Sequence, residues 1–200
     1  MKTNIVLIGF MGAGKTEVGR LLAEKRGYNF VDLDYIAEIR ESMTINEIFK
    51  QKGETYFRDI ENKILKDFKK NKDNILSSLK NFIPITLASS KSGNLIINGE
   101  DKRWVISTGG GMPVYKNNME MLKILGYVIY LKAGAKTIYR RIRAEKNRPV
   151  LGESGFSEKD IKNILKEREN VYKKADMIIY TDGLSQQGVA EEIDIFVSNL

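Results

Sequence analysis

The stretch Gly9-Phe10-Met11-Gly12-Ala13-Gly14-Lys15-Thr16 fits the pattern G-x-x-x-x-G-K-[ST], and its chemistry is phosphate binding. Glycines at these positions let backbone N–H groups converge on phosphate oxygens, and the N-terminus of a following helix adds positive potential. In such a loop the lysine, here Lys15, reaches the β- and γ-phosphates, and the Thr16 hydroxyl can ligate magnesium. The surroundings agree. Residues 4–8 form a short apolar, β-branched run that reads as a buried strand. Val18, Leu21 and Leu22 then recur at helical spacing, and Gly27 supplies a C-cap signal. A glycine-rich turn alone does not require strand, loop and helix in this order. A nucleoside triphosphate is the expected ligand.

Further groups with chemical potential follow. Asp32 and Asp34 stand two apart in a run read as a second strand, 28–34, so both carboxylates are expected on one side of it. They fall at the strand's C-terminal end, where open α/β sheets hold ligands. Like charges that close need a partner such as magnesium or a hydroxyl donor; an N-cap for a helix over 35–41 accounts for Asp34 alone. Arg58 and Glu61 lie three apart on a helix whose apolar face is Phe57, Ile60, Ile64, Leu65 and Phe68. That spacing fits a surface ion pair and equally fits an arginine braced to present a fork to a carboxylate. Gly109, Gly110 and Gly111 end another strand, 104–108, and three consecutive glycines there point to backbone approaching a ligand closely.

Composition narrows the chemistry. The chain has 200 residues, enough for one domain, and neither cysteine nor histidine. Thiolate metal sites, cysteine nucleophiles and histidine bases are therefore excluded, and proton transfer falls to carboxylates or lysine. The net charge is +7, yet Lys and Arg are dispersed, and the densest cluster, Lys69, Lys70 and Lys72, reads as a solvated helix end. No nucleic-acid partner is expected. The apolar run after Met1-Lys2 is too short for a signal peptide and no 18-residue apolar span exists, so the cytoplasm is the expected location, without a membrane.

Strands and helices alternate along most of the chain, which predicts an α/β fold with a parallel sheet covered on both faces. Thr44-Ile45-Asn46-Glu47 has capping-box spacing, and Gly53 interrupts the helical pattern after it. Residues 127–131 and 177–180 read as later strands, and 137–144 as a helix carrying Arg140, Arg141 and Arg143. Residues 145–157 include Arg148-Pro149 and few apolar side chains, and read as a mobile loop. Between 70 and 103 a short helix around Leu76 and Leu79 is followed by two apolar runs, 94–97 and 103–106, flanking Asn98-Gly99. That spacing predicts a β-hairpin. Because this segment enters the strand 104–108 at its N-terminal end, it is expected at the sheet end away from the ligands.

Taken in order, the Gly-Phe-Met-Gly-Ala-Gly-Lys-Thr loop, Asp32-Leu33-Asp34, Phe57-Arg58 with Glu61, Gly109-Gly110-Gly111 and Arg148-Pro149-Val150-Leu151 resemble the shikimate kinases over nearly the whole chain. The phosphate loop is shared very widely; the combination with Asp-x-Asp, Phe-Arg-x-x-Glu and the triple glycine is far more specific. The resemblance implies a P-loop NTPase-type five-stranded parallel sheet in the order 2-3-1-4-5, forming a single kinase domain over 1–200 with a lid at 145–157. It implies ATP bound by Gly12, Ala13, Gly14, Lys15, Thr16, Arg141 and Arg148, with Arg141 on the adenine. Mg²⁺ would be held by Thr16 and Asp32. Asp34 would take the proton of the attacking hydroxyl, with Lys15 and Arg148 completing the catalytic set. Shikimate would be gripped by Arg58, Arg168, Asp34 and the glycines 109, 110 and 111, and the enzyme would act as a monomer.

Two departures from the family pattern stand out. Arg168-Glu169-Asn170-Val171-Tyr172 replaces the usual Arg-x-Pro-Leu-Tyr, and 47 residues separate Glu61 from Gly109, so 70–103 reads as an insertion. Gluconate kinases and nucleoside monophosphate kinases share the scaffold but lack the combined Phe-Arg-x-x-Glu and triple glycine. A GTP-dependent switch would need an Asn-Lys-x-Asp motif after a later strand, and Asn71-Lys72-Asp73-Asn74 lacks that spacing. A non-catalytic nucleotide sensor finds no support, since every catalytic position is filled.

Overall fold

In the computed structural model the described residues are 3–72, 74–80, 93–98, 102–144 and 157–199. Five strands run parallel: β1 (Asn4–Ile8), β2 (Asn29–Asp32), β4 (Trp104–Ser107), β5 (Gly126–Lys132) and β6 (Met177–Tyr180). Their spatial order is β2-β4-β1-β5-β6, as the sequence led one to expect, and a short sixth strand, β3 (Leu95–Ile96), is added beside β2. β1 is central, flanked by β4 and β5, and the connections diverge to its two sides. That divergence opens a crevice at the strands' C-terminal ends, and the glycine loop leaves β1 into it.

The strands are apolar throughout because both faces are covered. On one face Val6, Ile8, Val31 and Ile106 pack against α2 (Leu33–Glu41), α3 (Ile45–Lys70), α4 (Ile75–Lys80) and α5 (Asn118–Leu125). On the other, Ile5, Leu7, Phe30 and Val105 meet α1 (Lys15–Arg26) and α8 (Gln186–Ser198). A smaller cluster of Phe10, Ala133, Ile138 and Ile161 joins the glycine loop to α6 (Ala135–Ala144) and α7 (Glu158–Tyr172). Local signals set the helix ends. Gly27 closes α1 in the left-handed conformation, Thr44 and Glu47 form a capping box on α3, and Ser157 and Asp160 form another on α7. Gly53, at φ +81°, breaks α3 where the sequence pattern breaks.

The expected hairpin is absent. β3 and β4 do not pair, because β2 lies between them. β3 instead runs antiparallel along the outer edge of β2, with Phe30 opposite Ile96 and Val31 opposite Leu95. Asn98 donates from its backbone to Asn29 Oδ1 and from its side chain to Tyr28 O, both at 2.7 Å. An Asn-Gly turn is a local preference, whereas the edge of β2 offers a row of backbone groups that must find partners. The tertiary demand wins. Gly99 itself, like 81–92, lies outside the described residues. The placement expected for this segment holds at Asn98, beside the start of β2, but not at Asn94. There the carbonyl accepts from Asp32 N at 2.9 Å, at the ligand-binding end of the sheet.

The seating of α1 on the sheet depends on Gly19. A methyl group there would come within 2.5 Å of the Phe30 ring and 3.3 Å of Leu7 Cδ1. Gly19→Ala should therefore lower the unfolding free energy by about 1–3 kcal/mol through overpacking, despite alanine's better helix propensity. Urea denaturation followed by far-UV circular dichroism reads this directly.

Candidate active site

Three strand ends build the site. After β1, Gly9, Gly12 and Gly14 all take positive φ, and a side chain at Gly9 would strike Leu131 O. The loop so formed wraps the buried Lys15, whose Nζ donates to Phe10 O at 3.0 Å. After β2 the chain turns straight into α2. The second strand ends at Asp32, two residues earlier than expected, so Asp34 sits in the first turn of a helix. Asp32, and not Asp34, is the N-cap: its Oδ1 accepts from Asp34 N at 3.0 Å and its Oδ2 from Thr16 Oγ1 at 2.6 Å. The cap thus ties α2 to the glycine loop. After β4 come Gly109, Gly110 and Gly111.

Beside the triple glycine lies a cluster of buried charged groups. Glu61 is fully buried, and its Oε2 accepts from Arg58 Nη1 at 2.7 Å. The surface-pair reading of Arg58 and Glu61 is thereby set aside, since a buried acid gripping an arginine is no surface ion pair. Glu54 holds the same guanidinium from outside, at 2.9 Å from Nη2 and 3.2 Å from Nε. Asp34 Oδ1 and Glu61 Oε1 are both buried without a hydrogen-bond partner. Both face the α-carbon of Gly109, where any side chain would collide with them, and a side chain at Gly111 would collide with the Arg58 guanidinium. The glycines are required by this close approach.

Burial raises the Asp34 carboxyl to about 8, helped by the neighbouring charges of Asp32 and Glu61 and opposed by Lys15 and Arg58. Glu61 is raised to about 7, again by burial first, with the Arg58 charge and hydrogen bond pulling the other way. Arg168 joins the same cluster: its guanidinium lies 5.5 Å from the centre of the Phe10 ring, and its charge acts on Glu61 and on Tyr172. The missing proline after it has not displaced it from the group.

A second compartment lies on the other side of Lys15. It is a pocket floored by Gly12–Val18 of the loop and helix α1 and walled by Arg141, Ala144, Thr181, Leu184, Gln186 and Val189. Arg141 spans it, donating to Gly12 O at 3.2 Å and to Thr181 O at 3.4 Å. Arg148 lies outside the described residues. Three contributors were not read from the sequence. Thr181 and its successors follow β6 at its C-terminal end, and the strand-end rule applied to β6 would have found them. Tyr172 stands one helical turn after Arg168; its hydroxyl donates to Gly110 O and its ring packs 4.8 Å from that of Tyr130. Asn118, fully buried, accepts from Asn62 Nδ2 at 2.6 Å and donates to Met112 O at 2.8 Å, bracing the turn that follows the glycines. No sequence pattern marks Asn118.

A family model described as shikimate kinase matches residues 11–78 and 95–197. The chain belongs to the shikimate kinase family. It is 40% identical over 190 residues to a shikimate kinase of Thermodesulfovibrio yellowstonii, covering 95% of this chain and 92% of that one. A shikimate kinase of Persephonella marina is 36% identical, covering 95% and 96% of the two chains. Among solved structures, that of a shikimate kinase from Acinetobacter baumannii in complex with shikimate superposes with a TM-score of 0.76 at 32% identity, covering 100% of this chain and 95% of that one. Asp32, Asp34, Arg58, Glu61, the triple glycine, Arg141 and Arg168 all fall inside the segments that match the family. Residues 79–94 fall between them.

The buried acids give the unliganded protein a pH signature. Both have folded-state values above their ordinary 3.8 and 4.5. The folded state therefore binds the extra protons, and the stability so gained is lost as pH rises through about 7 and 8. Urea midpoints should fall from about pH 5.5 to pH 8.5. Asp34→Asn, which removes one buried charge, should flatten the profile and exceed the wild type by at least about 1 kcal/mol at the alkaline end.

Proposed function

We propose that the chain transfers the γ-phosphoryl group of ATP to the 3-hydroxyl of shikimate, giving shikimate 3-phosphate and ADP. One observation carries the reading. Asp34 is buried between the lysine of the phosphate loop and an arginine braced by a buried glutamate, so a single carboxyl faces both a nucleotide-side and an acceptor-side cation.

In this reading the acceptor oxygen attacks the γ-phosphorus, the bond from that phosphorus to the ADP oxygen breaks, and the hydroxyl proton passes to Asp34. A carboxyl whose proton affinity is raised by burial is a better acceptor than an exposed one. The Arg58 fork, held at two edges by Glu61 and Glu54, receives the substrate carboxylate together with Arg168 and the backbone of Gly109, Gly110 and Gly111. Lys15 steadies the moving phosphoryl group, Gly12, Ala13 and Gly14 cradle the phosphates, and Arg141 borders the base. Arg148 keeps the role implied by the family resemblance, neutralising charge on the phosphoryl group from the segment 145–157. Catalysis is then mostly positioning and electrostatic stabilisation.

A magnesium ion fits the donors present. Thr16 Oγ1 and Asp32 Oδ2 are hard oxygen ligands already 2.6 Å apart beside the phosphate loop. Among the described residues no cluster of three acidic side chains could hold a metal alone, so phosphate oxygens and water would complete the shell. When bound, Mg²⁺ supplies charge neutralisation on the phosphates. No helix among the described residues is long and apolar enough to cross a membrane. The reading takes the protein as a cytoplasmic monomer without nucleic-acid partners.

A coupled ADP-release assay with shikimate, gluconate and nucleoside monophosphates tests the acceptor. Turnover with shikimate alone is expected, and equal turnover with gluconate, or none with shikimate, refutes the proposal. The proton acceptor is tested separately. Asp34→Asn should retain ATP binding by calorimetry while its kcat falls below about a tenth of wild type, general bases being worth roughly 10²–10⁴-fold.

A further inference from the structure

We infer that the strand β3, with the two residues before it, is a positioning element for the nucleotide side of the active site, acting through Gly93 and Asn94 on Asp32. The inference rests on the reading of Thr16 and Asp32 as the pair that faces the nucleotide-bound metal.

The observations converge from two sides. Asn94 O accepts from Asp32 N at 2.9 Å, so the residue whose carboxylate bonds Thr16 has its own backbone held by this segment. Across the sheet Asp32 is already paired with Ser107 of β4, and Asn94 therefore fixes its remaining free edge. Gly93, at φ +70°, lies against the Arg20 side chain of α1: a methyl group there would come within 2.5 Å of Arg20 Nη1 and 3.4 Å of Arg20 Cδ. One short stretch thus touches both elements that carry the Thr16–Asp32 hydrogen bond. Leu95 is buried in the main core and anchors the stretch from the other face of the sheet.

Neither Gly93 nor Asn94 belongs to the segments that match the family, which stop at 78 and resume at 95. The matched residues supply the reacting groups, and Gly93 and Asn94 place a backbone clamp on one of them. The clamp touches none of Arg58, Glu61 and Gly111, which contact one another; its link to the acceptor side runs only from Asp32 Oδ1 to Asp34 N, and not to the Arg58 fork that grips the carboxylate. Loosening it should therefore act on MgATP binding and spare the shikimate KM. A strand of purely structural importance would affect both.

The test uses Gly93→Val, in which a β-branched side chain is strained at the positive φ and displaces the Arg20 side chain, so the backbone leading into Asn94 must shift. Asn98→Ala serves as control. It loosens the same strand at its far end, where Asn98 holds Tyr28 and Asn29. Amide hydrogen exchange of Asp32, calorimetric binding of MgATP, and the KM values of MgATP and shikimate are measured for all three proteins. Gly93→Val is expected to speed Asp32 exchange at least about tenfold and to weaken MgATP binding at least about threefold, with the shikimate KM within about twofold. Asn98→Ala should leave MgATP binding within about twofold.

Unchanged Asp32 exchange in Gly93→Val means that no clamp exists. Faster exchange with unchanged MgATP binding, or equal losses for both substrates or in both variants, reduces the strand to a structural role. Either result overturns the inference. Absence of turnover with shikimate would refute the proposed acceptor instead, and the exchange and nucleotide-binding readouts would still decide the clamp.

Discussion

Two carboxyl groups, Asp34 and Glu61, are buried with one oxygen each aimed at the α-carbon of Gly109, and neither oxygen has a hydrogen-bond partner. Removing a carboxylate from water costs several kcal/mol even after relaxation, and a second like charge nearby adds to it. The structure tolerates the pair by raising both proton affinities and by placing Lys15, Arg58 and Arg168 within reach. The consequence runs outward. Each cation needs a fixed seat, so Lys15 is wrapped by the loop carbonyl of Phe10 and Arg58 is held by two glutamates. The backbone beside the acids must carry no side chain, so three glycines follow β4. Those glycines are then flexible and need bracing, which Tyr172 and Asn118 provide from α7 and α5. A site built around two buried acids forces its supports onto the neighbouring elements.

In the proposed reading, that arrangement separates the two halves of the reaction. On the acceptor side the groups are charged, buried and mutually braced by α3 and the glycine turn. On the nucleotide side the pocket is lined by backbone of the phosphate loop and by the short stretch after β6. Lys15 and Asp34 lie where the halves meet. Phosphoryl transfer needs reacting atoms held in line and charge stabilised as it moves, with little covalent chemistry from the protein. In that reading, two half-sites sharing Lys15 and Asp34 serve both needs.

What the sequence revealed follows the range of the forces involved. The glycine loop, the Thr44–Glu47 capping box, the Gly27 cap and the Gly53 break depend on neighbours within a few residues, and all were legible. The order of the five parallel strands came with the family resemblance, since hydrophobic pattern alone leaves several orders open. Burial is a property of the whole fold, so Arg58 and Glu61 could not be told from a surface pair until α3 was seen to press Glu61 against the sheet. The Asp-x-Asp run was misdivided for a related reason. Its alternation reads as strand, but Asp32 serves better as a helix cap, and α2 starts at once. Asn98-Gly99 predicted a hairpin because turn propensity is local, while the partner that β3 chose, β2, lies far back in the chain, with Phe30 opposite Ile96.

The two edges of the sheet show why that choice matters. In the five-stranded parallel arrangement β2 would be an edge, and an edge strand leaves a row of N–H and C=O groups open to water or to another chain. At β6 this is left largely as it is: the strand is short, Tyr180 is 65% exposed, and Lys132 lies 5.3 Å from its ring. Charge and brevity are adequate protection where no reacting carboxylate depends on the strand's position. At β2 they would not be. Its last residue is Asp32, whose two carboxylate oxygens set the first turn of α2 and the orientation of Thr16, and through α2 the place of Asp34. A slip of this strand by one residue would turn Asp32 to the opposite face. Parallel pairing with β4 restrains it from one side only. The antiparallel strand on the other side is only two residues long, yet with Asn94 it adds the second restraint beside Asp32, the residue proposed to face the metal.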